Sequence, residues 1–83
     1  MNLYTVYDRL AEACGPPFSA PNHAVARRMY ADLIKSSNVS HNEYKLIFMG
    51  SYDEKSCVLE PQGIPEDLYV DVRMPEPMED QNG

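Results

Sequence analysis

The sequence has few of the features from which enzyme and metal sites are built. Its four glycines are scattered, so no glycine-rich loop is available to bind phosphate groups. His23 and His41 lack metal-ligand spacing to each other or to a cysteine, which predicts two surface histidines. Cys14 and Cys57 lie far apart without CxxC spacing and are expected to be reduced thiols. We therefore expect no metal ion and no cofactor.

Carboxylates are the remaining candidates for catalysis. Glu66, Asp67 and Asp71 lie close together in the sequence. Charges at the start of a strand in a solvated loop are far commoner than an acid/base pair, so we do not assign these residues a catalytic role. We expect a protein that is not an enzyme.

Long apolar runs are also absent. No uninterrupted run approaches the roughly 20 residues that cross a bilayer, and no basic segment precedes a short apolar one at the amino terminus. These patterns favour an intracellular protein without membrane contact. A chain of 83 residues is expected to be one domain. A domain of this size buries only about 60 to 65% of its unfolded surface, which predicts marginal stability alone and favours a homo-oligomer.

The charges are unevenly distributed along the chain. Residues 1–50 hold five Lys or Arg against four Asp or Glu, a net charge of +1, whereas residues 51–83 hold two against nine, a net charge of −7. One interpretation is a solvated acidic surface with a loose tail. The alternative is a weakly basic binding face, accompanied by an acidic segment that repels or competes with nucleic acid.

The first half of the chain predicts strands followed by a helix. Residues 2–8 are rich in Tyr, Thr and Val, and both faces of this strand are apolar, which favours a central strand or an edge covered by a partner subunit. Residues 9–15 predict a connection with a helical turn, and residues 18–20 a short extended piece. Asn22 is a suitable N-cap for a helix over residues 23–36.

The predicted helix is amphipathic. At 100° per residue its apolar stripe consists of Val25, Ala26, Met29, Tyr30, Leu33 and Ile34. Arg27, Arg28, Asp32 and Lys35 fall on the opposite face. Burial of this stripe should stabilise the domain, and Leu33→Ala should cost about 2 to 5 kcal/mol.

The second half predicts a hairpin and a final strand. Residues 44–50 alternate with a period of two, residues 53–56 form a turn, and residues 57–60 return. Residues 61–65 contain two prolines and a glycine and are expected to break the chain before a strand over residues 68–73. From Met74 the sequence predicts a flexible acidic tail, residues 74–83, so the folded domain is residues 1–73. The fold class is α+β, an antiparallel sheet of four or five short strands with one main helix packed on a face.

Binding is the function class that these observations leave open. The cations expected to contact phosphates are Arg27, Arg28 and Lys35 on the helix, with Arg9 and Lys45 nearby. Tyr7 and Tyr44 lie on predicted strands, where an exposed ring stacks on a base for about 1 to 3 kcal/mol; most of the aromatic residues are expected to be in the core. Because these few cations can neutralise only a few phosphates, a monomer should bind nucleic acid weakly and lose affinity as the salt concentration rises.

Three segments resemble a known family: LYTVYD, PPFSAPNHAVARRMYADLI and YKLIFMGSYD. They are similar to segments of the small nonstructural protein of gokushoviruses, the tailless single-stranded-DNA phages of the Microviridae, over roughly residues 1–72. The resemblance implies a role in phage DNA replication, in the switch to single-strand synthesis and in packaging, within the host bacterial cytoplasm. It implies no catalytic signature and brings no site residues with it.

Two functions follow as hypotheses. The first is a noncatalytic phage protein that acts at viral single-stranded DNA as an oligomer, with the acidic tail limiting nonspecific binding or recruiting a replication partner. The second is an adaptor that engages a phage replication, capsid or host protein through an exposed strand edge without contacting DNA. The resemblance favours the first hypothesis and the acidic net charge favours the second.

Overall fold

The computed structural model describes residues 1–37, 39 and 41–70, except for the side chain of His41. The described elements are five strands, one α-helix and one short 3-10 helix. In chain order they are β1 (Asn2–Asp8), β2 (Ala13–Cys14), β3 (Phe18–Ala20), α1 (His23–Ser37), the 3-10 helix (His41–Glu43), β4 (Tyr44–Tyr52) and β5 (Leu59–Leu68). The predicted α+β class, with an antiparallel sheet of four to five strands and one main helix, is confirmed.

β1 lies inside the sheet, which is the first of the two alternatives that its apolar faces left open. The strand order is β2-β1-β4-β5, and β3 also pairs with β1; every pairing is antiparallel. β2 and β3 share one edge of β1, with Tyr7 opposite Cys14 and Asn2 opposite Ala20. The predicted connection over residues 9–15 therefore contains a two-residue strand, and both cysteines of the chain are free and exposed.

α1 begins where the capping residue predicts. The Asn22 side-chain Oδ1 accepts a hydrogen bond of 2.9 Å from the Val25 amide, which satisfies one of the unpaired donors of the first turn. The helix ends at Ser37, one residue later than expected.

The core lies between α1 and one face of the sheet, and its buried hydrophobic cluster consists of Tyr4, Ala20, Ala26, Tyr30, Ile34, Leu46 and Leu68. The predicted apolar stripe of α1 was too wide, because Met29 is 41% exposed and Leu33 is 48% exposed. At 100° per residue Leu33 lies roughly 60° from the centre of the buried face and Met29 roughly 100°. Because about half of the Leu33 side chain is exposed to water, the predicted cost of Leu33→Ala was too high. The loss in the free energy of unfolding should lie below the range of about 2 to 5 kcal/mol that is typical of buried leucines.

His23 is not a surface histidine, which corrects the prediction. Its ring is half-buried and lies 4.8 Å from the Phe48 ring, centroid to centroid. Its Nδ1 lies 2.7 Å from the hydroxyl of the fully buried Tyr4, which donates to Nδ1 when the neutral ring carries its proton on Nε2. Asn2 Nδ2 donates to the same hydroxyl at 3.0 Å. This chain of hydrogen bonds fixes the start of α1 on β1.

The turn between β4 and β5 is the one predicted. The Asp53 Oδ1 accepts hydrogen bonds from the amides of Lys55, at 2.8 Å, and Ser56, at 3.4 Å. These bonds to the charged form lower the pKa of the Asp53 carboxyl, the Lys55 amide contributing most.

The predicted break at residues 61–65 was wrong, and so was the separate strand over 68–73 as far as Val70, because Leu68 belongs to β5 and Tyr69 and Val70 lie in no strand. β5 runs through the break and ends at Leu68, with Gly50 opposite Pro61 and Phe48 opposite Glu66. Between these two pairs the register shifts, so that residues 62–65 of β5 lie opposite Met49 of β4. Gly50 makes this irregularity tolerable, because its φ is 150° and an added Cβ would lie 2.5 Å from the Glu60 carbonyl oxygen. The predicted tail, residues 74–83, and the remainder of the predicted strand beyond Val70 lie outside the described residues.

Candidate nucleic-acid interface

A polar groove of about 500 Å³ opens where β1 ends, β4 begins and β5 ends, beside α1. We call it the polar groove. Among the described residues, its lining contains two cations, one carboxylate and three tyrosines: Arg9, Tyr30, Asn42, Tyr44, Lys45, Leu46, Asp67, Leu68, Tyr69 and Val70.

Strand pairing brings these residues together. β1 and β4 run antiparallel with Asp8 opposite Tyr44, so the end of β1 meets the start of β4. Arg9 follows β1 directly, and its amide donates a 2.8 Å hydrogen bond to the Glu43 carbonyl. On the other side of β4, Leu68 of β5 lies opposite Leu46. The groove is therefore assembled from residues that are far apart in the sequence.

Lys45 makes two contacts at the groove. Its Nζ lies 3.5 Å from Asp67 Oδ2 and 5.2 Å from the centroid of the Tyr7 ring. Register explains the second contact, since Tyr7 and Lys45 lie opposite each other. Asp67 is 56% exposed, so this ion pair is well solvated and contributes little to folding. A phosphate can take the place of the Asp67 carboxylate at small cost.

Arg9 is the less engaged of the two cations. Its side chain is exposed, and within the described part of the chain its guanidinium has neither a hydrogen bond nor an ion pair. The Arg9 charge acts on the hydroxyl of Tyr30. Burial raises the pKa of the Tyr30 hydroxyl, the positive charge of Arg9 opposes this rise, and the negative charge of Asp67 adds to it. Tyr30 thus presents a neutral phenol to a groove that also holds an available guanidinium.

The two other groove tyrosines differ in exposure. Tyr44 is half-buried and packs against the core cluster, which holds its ring in place. Tyr69 is 80% exposed and offers most of its ring to solvent. An exposed aromatic ring beside cations is the arrangement that single-stranded nucleic acid uses for base stacking and phosphate contact.

The predicted helix cations separate into two groups. Arg27 is not opposite the buried face as expected, because it lies roughly 60° from the centre of that face at 100° per residue. Its Nε donates to the Tyr69 carbonyl at 3.1 Å, so it supports the wall of the polar groove. Arg28 and Lys35 are exposed on the outward face of α1 and do not line the groove. Of the seven predicted residues, three line the groove: Arg9, Tyr44 and Lys45.

Sequence reasoning missed three members of the groove. Tyr30 was assigned to the buried stripe, which it joins, without its second role as a groove residue. Asp67 was interpreted as a solvated charge, and Tyr69 as a residue of the final strand. No local pattern points to them, because their proximity to Arg9 depends on the pairing of β5 with β4.

A second, smaller groove of about 190 Å³ lies at the other side of α1. It is lined by Val6, Phe18, Met29, Tyr30 and Leu33. The exposure of Met29 and Leu33 makes this an apolar surface, and none of the described residues that line it is charged. It is distinct in chemistry from the polar groove.

Other kinds of site find no support in the described ranges. Across residues 1–37, 39 and 41–70, no group of three His, Cys, Asp or Glu is arranged to hold a metal ion. The same part of the chain contains no helix that is both long and apolar enough to cross a membrane.

Comparisons with known proteins identify a family. No curated protein matches the chain, and no solved structure matches it. The family model for the Phage ORF5 proteins matches residues 1–73, which include every helix and strand described above. The chain therefore belongs to the Phage ORF5 protein family, a family of bacteriophage proteins.

Proposed function

We propose that this phage protein binds viral single-stranded DNA through the polar groove, as a noncatalytic nonstructural protein of the gokushovirus type. The observation that carries the proposal is the convergence of Arg9 and Lys45 with the exposed ring of Tyr69 at one groove. The role is in the replication switch or in genome packaging, in the cytoplasm of the host bacterium.

The chemistry of the groove suits a single strand better than a duplex. Tyr69 and Tyr44 offer faces on which unpaired bases stack, whereas the bases of a duplex are already stacked on each other. Arg9 and Lys45 supply the charge for the backbone. Since stacking and phosphate contact do not depend on base identity, we expect little sequence preference.

The number of cations sets the expected salt dependence. Two phosphate contacts per protomer correspond to a slope of about −1.4 for the logarithm of affinity against the logarithm of salt concentration on a single strand. Such a protomer binds weakly, and an oligomer multiplies the contacts along one strand. The proposal therefore includes a homo-oligomer as the binding species.

The test is a titration of fluorescent single-stranded DNA at low and at physiological salt, with duplex DNA as competitor and light scattering to measure the oligomer. Salt-sensitive binding that duplex DNA does not displace supports the proposal. A folded protein that binds neither DNA at low salt contradicts it.

An adaptor function is the second candidate, and a specific observation favours it. The hairpin formed by β4 and β5 exposes four large apolar side chains, Met49, Val58, Leu59 and Ile64, the last of them 84% exposed. β5 is the terminal strand of the described sheet. A phage replication, capsid or host protein could pair with such an edge and cover these side chains, without any contact with DNA.

A further inference from the structure

We propose that the acidic segment of residues 71–83 binds in the polar groove of its own chain and competes there with single-stranded DNA. The competition with DNA rests on the proposed function, whereas the intramolecular contact itself can be detected without DNA. The segment is the occupant because of where it begins and because of its charge.

The segment begins at the groove. Tyr69 and Val70 both line the groove, and residue 71 follows Val70 directly. An extended chain spans at most about 3.3 to 3.6 Å per residue. Glu76 follows Val70 by six residues, so it can lie anywhere within about 20 Å of Val70. Because Val70 itself lines the groove, Glu76 can reach the groove cations from there.

Charge favours the contact. Residues 71–83 contain four carboxylates, Asp71, Glu76, Glu79 and Asp80, against one cation, Arg73, a net charge of −3. The groove supplies the Arg9 guanidinium, which has no partner in the described residues, and the Lys45 ammonium, which shares its charge with one exposed carboxylate. Because the segment is tethered, its effective concentration at the groove is in the millimolar range.

The chain already shows a carboxylate in such a position. Asp67, three residues before Val70, places Oδ2 at 3.5 Å from Lys45 Nζ. Carboxylates from the following segment extend the same type of pairing to Arg9. A phosphate backbone must displace these carboxylates, so the segment weakens DNA binding. DNA that contacts the groove of only one protomer then does not bind stably.

The experiment compares two full-length variants that change the net charge equally. The tail variant carries Glu76→Gln, Glu79→Gln and Asp80→Asn. The control carries Glu12→Gln, Asp32→Asn and Glu60→Gln, three exposed carboxylates outside the groove lining. Two quantities are measured on each protein: the NMR shift of the Arg9 side-chain Nε–H without DNA, and the affinity for single-stranded DNA.

The proposal predicts that the tail variant, and not the control, moves the Arg9 signal and binds single-stranded DNA about 2- to 30-fold more tightly than the wild type, the range for loss of two exposed ion pairs. Equal gains in affinity with an unmoved Arg9 signal mean an effect of total charge, which overturns the inference and leaves the proposed function intact. If no protein binds DNA, the proposed function fails, and the Arg9 signal alone decides whether the segment occupies the groove.

Discussion

Lys45 Nζ lies 3.5 Å from Asp67 Oδ2, and this ion pair joins the start of β4 to the end of β5 at the polar groove. The pair is exposed and contributes little to folding. Its position matters more than its strength, because it holds a carboxylate where the proposed function requires a phosphate.

Removing the Asp67 charge should strengthen DNA binding. Asp67→Asn frees Lys45 from its intramolecular partner, and single-stranded DNA affinity should rise by about 1.5- to 5-fold, the equivalent of one exposed ion pair. Glu66→Gln is the matched control, since it makes the same charge change at the neighbouring exposed residue. Equal affinities for the two variants in a fluorescence titration would show that the Lys45 pair does not compete with DNA.

Tyr4→Phe should destabilise the protein. The hydroxyl of Tyr4 is hydrogen-bonded to His23 Nδ1 and to Asn2 Nδ2 at the margin of the core, and its removal leaves both half-buried groups without that partner. A loss of about 1 to 3 kcal/mol in the free energy of unfolding follows, measured by urea denaturation. Tyr7→Phe serves as the control, because its hydroxyl has no hydrogen bond within the described residues. A Tyr4→Phe protein as stable as this control would refute the structural role of the hydroxyl.

Gly50→Ala should disturb the register shift between β4 and β5. The new Cβ would lie 2.5 Å from the Glu60 carbonyl oxygen and 2.8 Å from Pro61 Cα, at a φ of 150°. The strained backbone alone costs about 1 to 3 kcal/mol, and the clash adds to it. At Gly63 an added Cβ meets nothing within 4 Å, so Gly63→Ala is the control for urea denaturation. Similar stabilities for the two variants would contradict the observed pairing of Gly50 with Pro61.

The Asp53 turn should make stability depend on acid pH. Hydrogen bonds from the amides of Lys55 and Ser56 lower the pKa of the folded Asp53 carboxyl below its ordinary value in the unfolded chain. The contribution of Asp53 is therefore fully present above that value and is lost as the pH falls through the folded pKa. Asp53→Asn should flatten the fall in unfolding free energy between about pH 5 and pH 2. An unchanged slope in denaturation measured across this range would rule out the turn as its source.

The elements that depend on local pattern could be predicted from the sequence. Asn22 identified the start of α1, and the two apolar faces of residues 2–8 indicated a strand covered on both faces, for which a central position was one of two alternatives. β5 was predicted poorly because Pro61 and Pro65 normally end a strand. At the edge of a sheet prolines are tolerated, and the register shift at Gly50 accommodates the extra residues.

The polar groove depends on information that local pattern does not contain. Arg9 and Lys45 were both selected as cations, but their placement at one groove follows from the pairing of β1 with β4. Arg27 was misplaced because a wheel of 100° per residue puts it at the margin of the buried face, where the contact with Tyr69 decides its orientation. His23 was misjudged because nothing in its sequence context shows that Tyr4 lies beside it.

The central claim is that DNA binds at the polar groove, and a pair of charge reversals tests it most directly. Arg9→Glu with Lys45→Glu reverses the groove, whereas Arg28→Glu with Lys35→Glu makes the same change in net charge on the outward face of α1. The titration with fluorescent single-stranded DNA at low salt should show a loss of at least about tenfold for the groove variant and less than about threefold for the helix variant. An equal or larger loss for the helix variant, with both proteins folded, would contradict the account and place the binding surface on α1.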